Sequence, residues 1–551
     1  MYRFRSIQLY FFSVFKLFFL SFRNFYLKTN FYNNKLITFT PERFFYNPSA
    51  YLSASLTSIA TNFYKITNTK PKILWRANID DKQEFENLHS FLWLAKLDRK
   101  NAKTITQNLI FNWINFFFNY RPNIWEMEIT AKRIIAWSSN TDITLENSSK
   151  VYKEKFFLSL IKQSNFLAKN LKNLFYNPSK IICCSAIILS GMIFKENDIN
   201  YKIGIKELEK IIKNYFDESG FPKSRNPEEV FICIKYLILI REWHKESQRL
   251  IPDFLNEIIS RCGTCYAMLS CSNKQFPLFN GATEINYKDY DIFLKSLKYK
   301  FTHSSNEISE LIKIKKKKFE FIIDCGNPPP NEFAKYYQAG CLAFELISNK
   351  QKVICNSGYG KYLSPKLSSL SRSTAAHSTL YINDTSSCTF QKNYSINKVY
   401  GNSLVYKHKI IQKKYTEDKD FYLIEASHNG YEKKFGYIHT RSIKISKRED
   451  KIFGVDKLKR TKKNNNLLNY FIRFHIYPFT KIVKTMAGNS VLISLSNGEG
   501  WSLISETNNF EIEKNIFFGN KNGIINNESI SMSGNINQDT ILIKWTIEKV
   551  S

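Results

Sequence analysis

Apolar residues recur at every third or fourth position along the first part of the chain, the spacing that places them on one face of a helix. The stretches "EFENLHSFLWLAKL" (84–97), "NLIFNWINFFFNY" (108–120), "EITAKRIIAWSS" (128–139), "EKFFLSLIKQSNFLAKNLKNLF" (154–175) and "IGIKELEKIIKNYF" (203–216) all carry it. Short Asn, Pro and Gly punctuation separates them, as in "NYRPNIW", "FYNPSK" and "DESGFPKSRNPEE". Successive helix pairs with short turns predict an array of α-hairpins, closed into a toroid or left open as a solenoid. Near residue 315 the period changes. Beyond the lysine run "KIKKKKFE", which reads as a solvated connector, come "FEFIIDCG", "CLAFELIS", "KVICNSG", "STLYIND", "DFYLIEASH", "NYFIRFHIY", "SVLISLS" and "TILIKWTIE". These are short, β-branched and aromatic, with turns at Gly, Asn and Asp, and no helical pattern lies between them. They predict an antiparallel β-sandwich, with helix dominant before about residue 310 and strand after about residue 320.

A chain of 551 residues has room for two large domains, and 43% hydrophobic content supplies ordinary cores. The formal net charge of +32 suits an acidic partner, polyanionic sugar or nucleic acid. The excess travels with a general enrichment in Lys, Asn, Ile and Phe, as in "KKNNNLLNYFIRF", and so marks no binding face. With neither a zinc-finger pattern nor an RNA-binding motif, nucleic acid is not the expected partner. The 10 cysteines sit mostly in apolar runs such as "KIICCSAIIL" and read as small buried hydrophobes. Cys262 and Cys265 form one Cys-x-x-Cys without the second pair a zinc site wants.

The first residues, "MYRFRSIQLYFFSVFKLFFLSF", have a basic start and an apolar stretch. Lys16 interrupts that stretch, and no small-x-small cleavage site follows before Arg23 and Asn24. The same lysine makes it a poor membrane span. An amphipathic helix packed on the body or lying on a membrane surface fits better, so peripheral membrane contact is an expectation for this segment.

The stretch "RSTAAHSTLYINDTSS" (372–387) places His377 between two alanines and a Ser-Thr pair, in a chain with only 8 histidines. Taken alone, this ring leaves structural packing, metal ligation and proton handling all open. Its surroundings narrow the choice. "GNPPP" (326–330), "QAGCLAFEL" (338–346), the His377 stretch itself, "SHNGYEKKFGYIHTR" (427–441) and "RFHIYP" (473–478) resemble the heparinase II/III family of polysaccharide lyases. Upstream, "WEMEITAKRIIAW" and "GFPKSRNPE" resemble helical segments of a bacterial branch of that family. The resemblance runs from about Trp125 onward. It implies an N-terminal α/α toroid (helical hairpin array) followed by an antiparallel β-sandwich. The expected divisions are a basic aromatic segment at 1–45, the toroid at 46–312 and the sandwich at 313–551.

A lyase acting on a uronic-acid polymer removes the proton at C5 and expels the oxygen at C4. Donors must neutralise the adjacent carboxylate, a base must take the proton, and an acid must protonate the leaving oxygen. That chemistry requires no metal or organic cofactor, and none is expected. The resemblance puts His377 on the family's catalytic histidine and Asn177, in "LFYNPSK", on an asparagine that helps neutralise the carboxylate. Asn-Pro is also an ordinary turn before a helix. Relatives carry a tyrosine at a helix start where this chain has "KSRNPEEVF". Arg225 and Asn226 are the substrate-binding candidates there, and their bland reading is a capped helix start. The absent tyrosine leaves the acid unassigned.

His439 and Arg441, in "HTR", are further pocket candidates. Some relatives bind zinc through a ligand two residues past the catalytic histidine, and Thr379 occupies that position here. No metal site is expected. Trp125, Arg133 and Trp137 could line a sugar groove, though aromatics at helical spacing are more often core. His377 is expected at an inter-domain groove facing Arg225 and Asn226.

The expected function is β-eliminative cleavage of an acidic, uronic-acid-containing glycan. The alternative is a catalytically impaired glycan-binding or envelope polysaccharide-processing protein of the same fold. The cell envelope or periplasm suits either, with the cytoplasm as the alternative compartment because no clean signal peptide is present.

Overall fold

The helices begin where the sequence supplies caps. In the computed structural model, which describes residues 2–57, 66, 69–401, 403–464 and 467–550, Glu126 caps Met127–Ser139 by accepting from the Ile129 N–H at 3.0 Å. Ser149 caps Lys150–Asn170 through the Tyr152 N–H, and Asn177 caps Pro178–Ile193 with Pro178 at the first helical position. The helices Lys103–Phe117 and Asp198–Tyr215 also follow the expected spacing. The stretch at 84–97 does not stay one helix. Phe91 adopts a left-handed φ of 58°, which ends Lys82–Ser90 and starts a short 3-10 turn at Leu92–Lys96.

Trp125, Arg133 and Trp137 are buried among these helices. The Arg133 guanidinium lies over the Trp113 ring, and its Nε donates to Gln163 Oε1 at 2.6 Å. They are core, as aromatic spacing on a helix favours.

The chain folds into two compact units. The first comprises residues 1–216 and 231–262, and the second residues 217–230 and 263–551. Residues 217–230, helical only from Pro227 on, and the helical residues 263–269 therefore belong with the sheets. In that second unit one sheet follows the order β1 (Glu307–Ile308), β2 (Leu311–Lys315), β3 (Phe319–Asp324), β4 (Phe344–Ser348), β5 (Gln351–Cys355). It continues through β13 (Asn469–Ile476), β18 (Ile525–Asn535) and β17 (Glu511–Phe517), and β6 (Leu380–Ile382) pairs on β13. A second sheet orders β14 (Lys481–Lys484), β15 (Ser490–Ser494), β16 (Gly500–Ile504), β19 (Thr540–Lys549), then β12 (Lys451–Arg460), β11 (Tyr437–Ser446), β10 (Phe421–His428) and β9 (Ile410–Glu417). A separate short ladder joins β7 (Thr389–Phe390) to β8 (Leu404–Tyr406). Their pairings are antiparallel, and side chains from both large sheets, such as Phe321, Phe344, Ile443 and Trp545, share one core. An N-terminal helical region thus precedes an antiparallel β-sandwich.

The lysine run is solvated at Lys315, Lys317 and Lys318, as expected of a connector, and what it connects is two paired strands. It closes the β2–β3 hairpin, where the Lys316 N–H donates to the Phe319 carbonyl. Along "LIKIK" Ile312 and Ile314 enter the sandwich core, while Lys313 is buried on the other face of the sheet, its Nζ pairing with Glu320 at 3.1 Å and donating to the Ser270 carbonyl.

Candidate active site

His377 ends a short 3-10 turn, Thr374–Ala376, three residues before β6 begins. It is only 1% exposed. Its Nδ1 lies 2.8 Å from the Ser373 carbonyl, which can only accept, so Nδ1 carries the proton and Nε2 the lone pair. Nε2 is buried and meets no hydrogen-bond partner. Burial lowers the ring's pKa to about 4, against the Ser373 carbonyl and the Asp324 charge, which both act to raise it. His377 is therefore a neutral base at physiological pH. The ring lies against Gly340, where an added Cβ would sit 2.6 Å from His377 Cδ2. Asn356, next in the same layer, accepts from the Ser378 N–H and leaves its own buried Nδ2 without an acceptor.

Arg225 and Asn226 fall in the same compact unit as His377. Arg225, with φ at 63°, donates from Nη2 to Asp324 Oδ1 at 2.7 Å and from Nη1 to the Asn327 carbonyl at 3.0 Å. Its guanidinium lies on Gly326, where a Cβ would clash at 2.1 Å from Cζ. Burial acts to lower its pKa, but Asp324 and Glu310 hold it above the ordinary arginine value. The expected partner was a substrate carboxylate; the observed partner is the chain's own Asp324. Asn280 Nδ2 and the Gly326 N–H complete that carboxylate's shell. Asn226 takes the capping role, with Oδ1 accepting from the Glu228 N–H at 2.9 Å, while Glu228 itself receives the Thr283 N–H and hydroxyl.

His439 and Arg441 face the sandwich interior because β11 alternates and both share the inward side with Tyr437 and Ile443. Asp456 is the register partner of Arg441 across β11–β12. Arg441 donates to Asp456 from Nε and Nη2, and from Nη1 to the Leu342 and Ser378 carbonyls. His439 Nε2 lies 2.7 Å from Asp456 Oδ1, and Trp545 Nε1 donates to Oδ2. Burial pushes the Asp456 pKa up, but Arg441 and His439 hold it below the usual carboxylate range. The chain of neutral rings continues, with the Gly430 N–H donating to His428 Nδ1 and His428 Nε2 lying 3.1 Å from His439 Nδ1. Both candidates are fully buried, and of the two Arg441 reaches the His377 segment, through the Ser378 carbonyl. Arg441 fixes the carbonyl of the residue after His377.

Asn177 belongs to the first compact unit. Its Oδ1 accepts from the Lys180 N–H at 3.2 Å, which leaves the amide N–H groups for the donor role. Among the described residues, no group of three or more His, Cys, Asp or Glu side chains could hold a metal ion. All ten cysteines are buried, Cys262 and Cys265 included.

Sequence reading missed Asp324, Asp456 and Tyr337. Asp456 had a signal, an aspartate at an inward position of the alternating "KIFGVDKL", but strand pairing was needed to match it with Arg441. Tyr337 is 1% exposed, held protonated by burial, and coupled electrostatically to Asp324 and Arg225.

Comparison with known proteins agrees with this architecture. Residues 307–546 match the family described as Heparinase II/III-like, C-terminal. The solved structure of Heparinase III superposes with a TM-score of 0.68 at 14% identity, covering 94% of this chain and 86% of that one. A heparan sulfate lyase HepC mutant from Pedobacter heparinus gives 0.64 at 13% identity, over 94% and 87%. This is a chain of the heparinase II/III fold, an α/α toroid followed by a β-sandwich. The FtsZ-localized protein C of Caulobacter vibrioides is 26% identical over 208 residues, and the match spans 36% of this chain and 35% of that protein.

Proposed function

We propose that the protein cleaves an acidic, uronic-acid-containing glycan by β-elimination, with His377 taking the C5 proton. One observation carries the reading: the ring is neutral, its Nδ1 proton is committed to the Ser373 carbonyl, and the Nε2 lone pair has no partner. A base needs that lone pair. In this reading Asn177 supplies amide donors to the carboxylate. The cell envelope or periplasm is the compartment that suits this reading, with the cytoplasm as the alternative. The test is a screen of purified protein on uronic-acid polymers, following ultraviolet absorbance of the unsaturated product. Product from wild type and none from His377→Ala supports the reading; equal activity in both sinks it.

A second reading is a glycan-binding protein that no longer cleaves. It is favoured by Arg225, whose charge is neutralised by Asp324 instead of being open to a carboxylate. Binding of acidic glycan with no unsaturated product on any polymer would select it.

A further inference from the structure

The helix Tyr2–Lys28 leaves an apolar stripe in solvent. Ile7, Phe11, Phe15, Phe18, Phe22 and Phe25 are each between 53% and 71% exposed. Their spacing of four, four, three, four and three residues puts them on one arc of the helix, about 80° wide at 100° per residue. Phe12 and Phe19 widen it on one side. On the opposite side Ser13 and Leu27 are buried, and from the border Arg23 donates to Asn170 Oδ1 at 2.6 Å. By the same rotation Lys16 and Arg23 fall near one border of the stripe and Lys28 near the other.

Proteins that stay in water rarely expose a contiguous apolar surface of this kind. The charge around it is one-sided. The first 41 residues contain six Lys or Arg and no Asp or Glu. A second copy of the helix would bring basic borders against basic borders, whereas an anionic surface satisfies them. Among the described residues no helix is long and apolar enough to cross a membrane, and Lys16 lies mid-helix. We propose that this helix docks the protein on the surface of an anionic phospholipid bilayer, lying in the interface plane with the Ile7–Phe25 stripe turned into it.

The test uses the full chain with vesicles of phosphatidylcholine containing phosphatidylglycerol, against vesicles of phosphatidylcholine alone. Sedimentation with the anionic vesicles, weakened at least tenfold on the neutral ones and by high salt, is expected. The variant Phe15→Glu/Phe18→Glu/Phe22→Glu should lose binding at least tenfold while its thermal unfolding midpoint stays put. Phe18→Trp keeps the stripe apolar and should show a blue-shifted emission on adding anionic vesicles. Three results would each overturn the proposal: no sedimentation of wild type, unchanged binding by the triple variant, or no emission shift from Phe18→Trp. So would concentration-dependent self-association of wild type that the triple variant abolishes and vesicles leave untouched.

Discussion

A buried imidazole nitrogen without a partner costs free energy, and the fold keeps one at His377 Nε2. Replacing His377 with Ala is expected to reduce product formation on the order of a hundredfold to ten-thousandfold with secondary structure unchanged, read by ultraviolet turnover beside circular dichroism. If the ring is the base, turnover should rise with pH through about 4, where Nε2 loses its proton, and a pH–rate profile checks this. Arg441 is expected to behave otherwise. Removing it strands Asp456 as an uncompensated buried charge, so Arg441→Met should lower stability by about 3–5 kcal/mol in urea unfolding. At this scale the sequence made His377 legible, because its local neighbours Ser373 to Thr379 belong to one motif. Asp324 was not legible, since it lies 99 positions from Arg225 in the chain and meets it only on folding.

Short elements carry the next layer of control. Asn177 caps its helix through Oδ1, and the proposed function gives its Nδ2 the donor role. Asn177→Asp keeps the capping oxygen and loses the donors, so it should hold stability while reducing turnover. Asn177→Ala should also cost about 0.5–2 kcal/mol in helix stability. Gly340 matters for the β-sheet side of the site. Its Cβ would press on the His377 ring, which the Ser373 contact holds in place, so Gly340→Ala should lower both unfolding midpoint and turnover, measured in one preparation. The eight strands expected from composition and alternation correspond to β3, β4, β5, β6, β10, β13, β15 and β19. β11 and β12 escaped because their inward positions hold His439, Arg441 and Asp456 where a hydrophobic pattern wants apolar residues.

Over the whole molecule, buried neutral histidines set the acid limit. Burial lowers His377 and His408 to about 4, and His89 and His475 to about 3. Between those values and the ordinary histidine range near 6.5 the unfolded chain binds protons that the folded chain refuses. Their contribution is therefore fully present above about pH 6.5 and declines as pH falls toward 4, by up to about 1.4 kcal/mol per pH unit for each group. The unfolding midpoint should be lower at pH 5 than at pH 7 in differential scanning calorimetry. What the sequence determined by itself was local: helical and strand periodicity, the change of texture near residue 315, the capping residues and the motif around His377. These rest on interactions between near neighbours in the chain, which a period or a motif encodes. Only the tertiary structure decided that Arg225 pairs with Asp324 and that Arg441 and His439 meet Asp456 inside the sandwich. Each of those is a pairing of charges across sheet register or distant loops, and burial in a low-dielectric interior, which no stretch of sequence displays, sets both the partner and the protonation state.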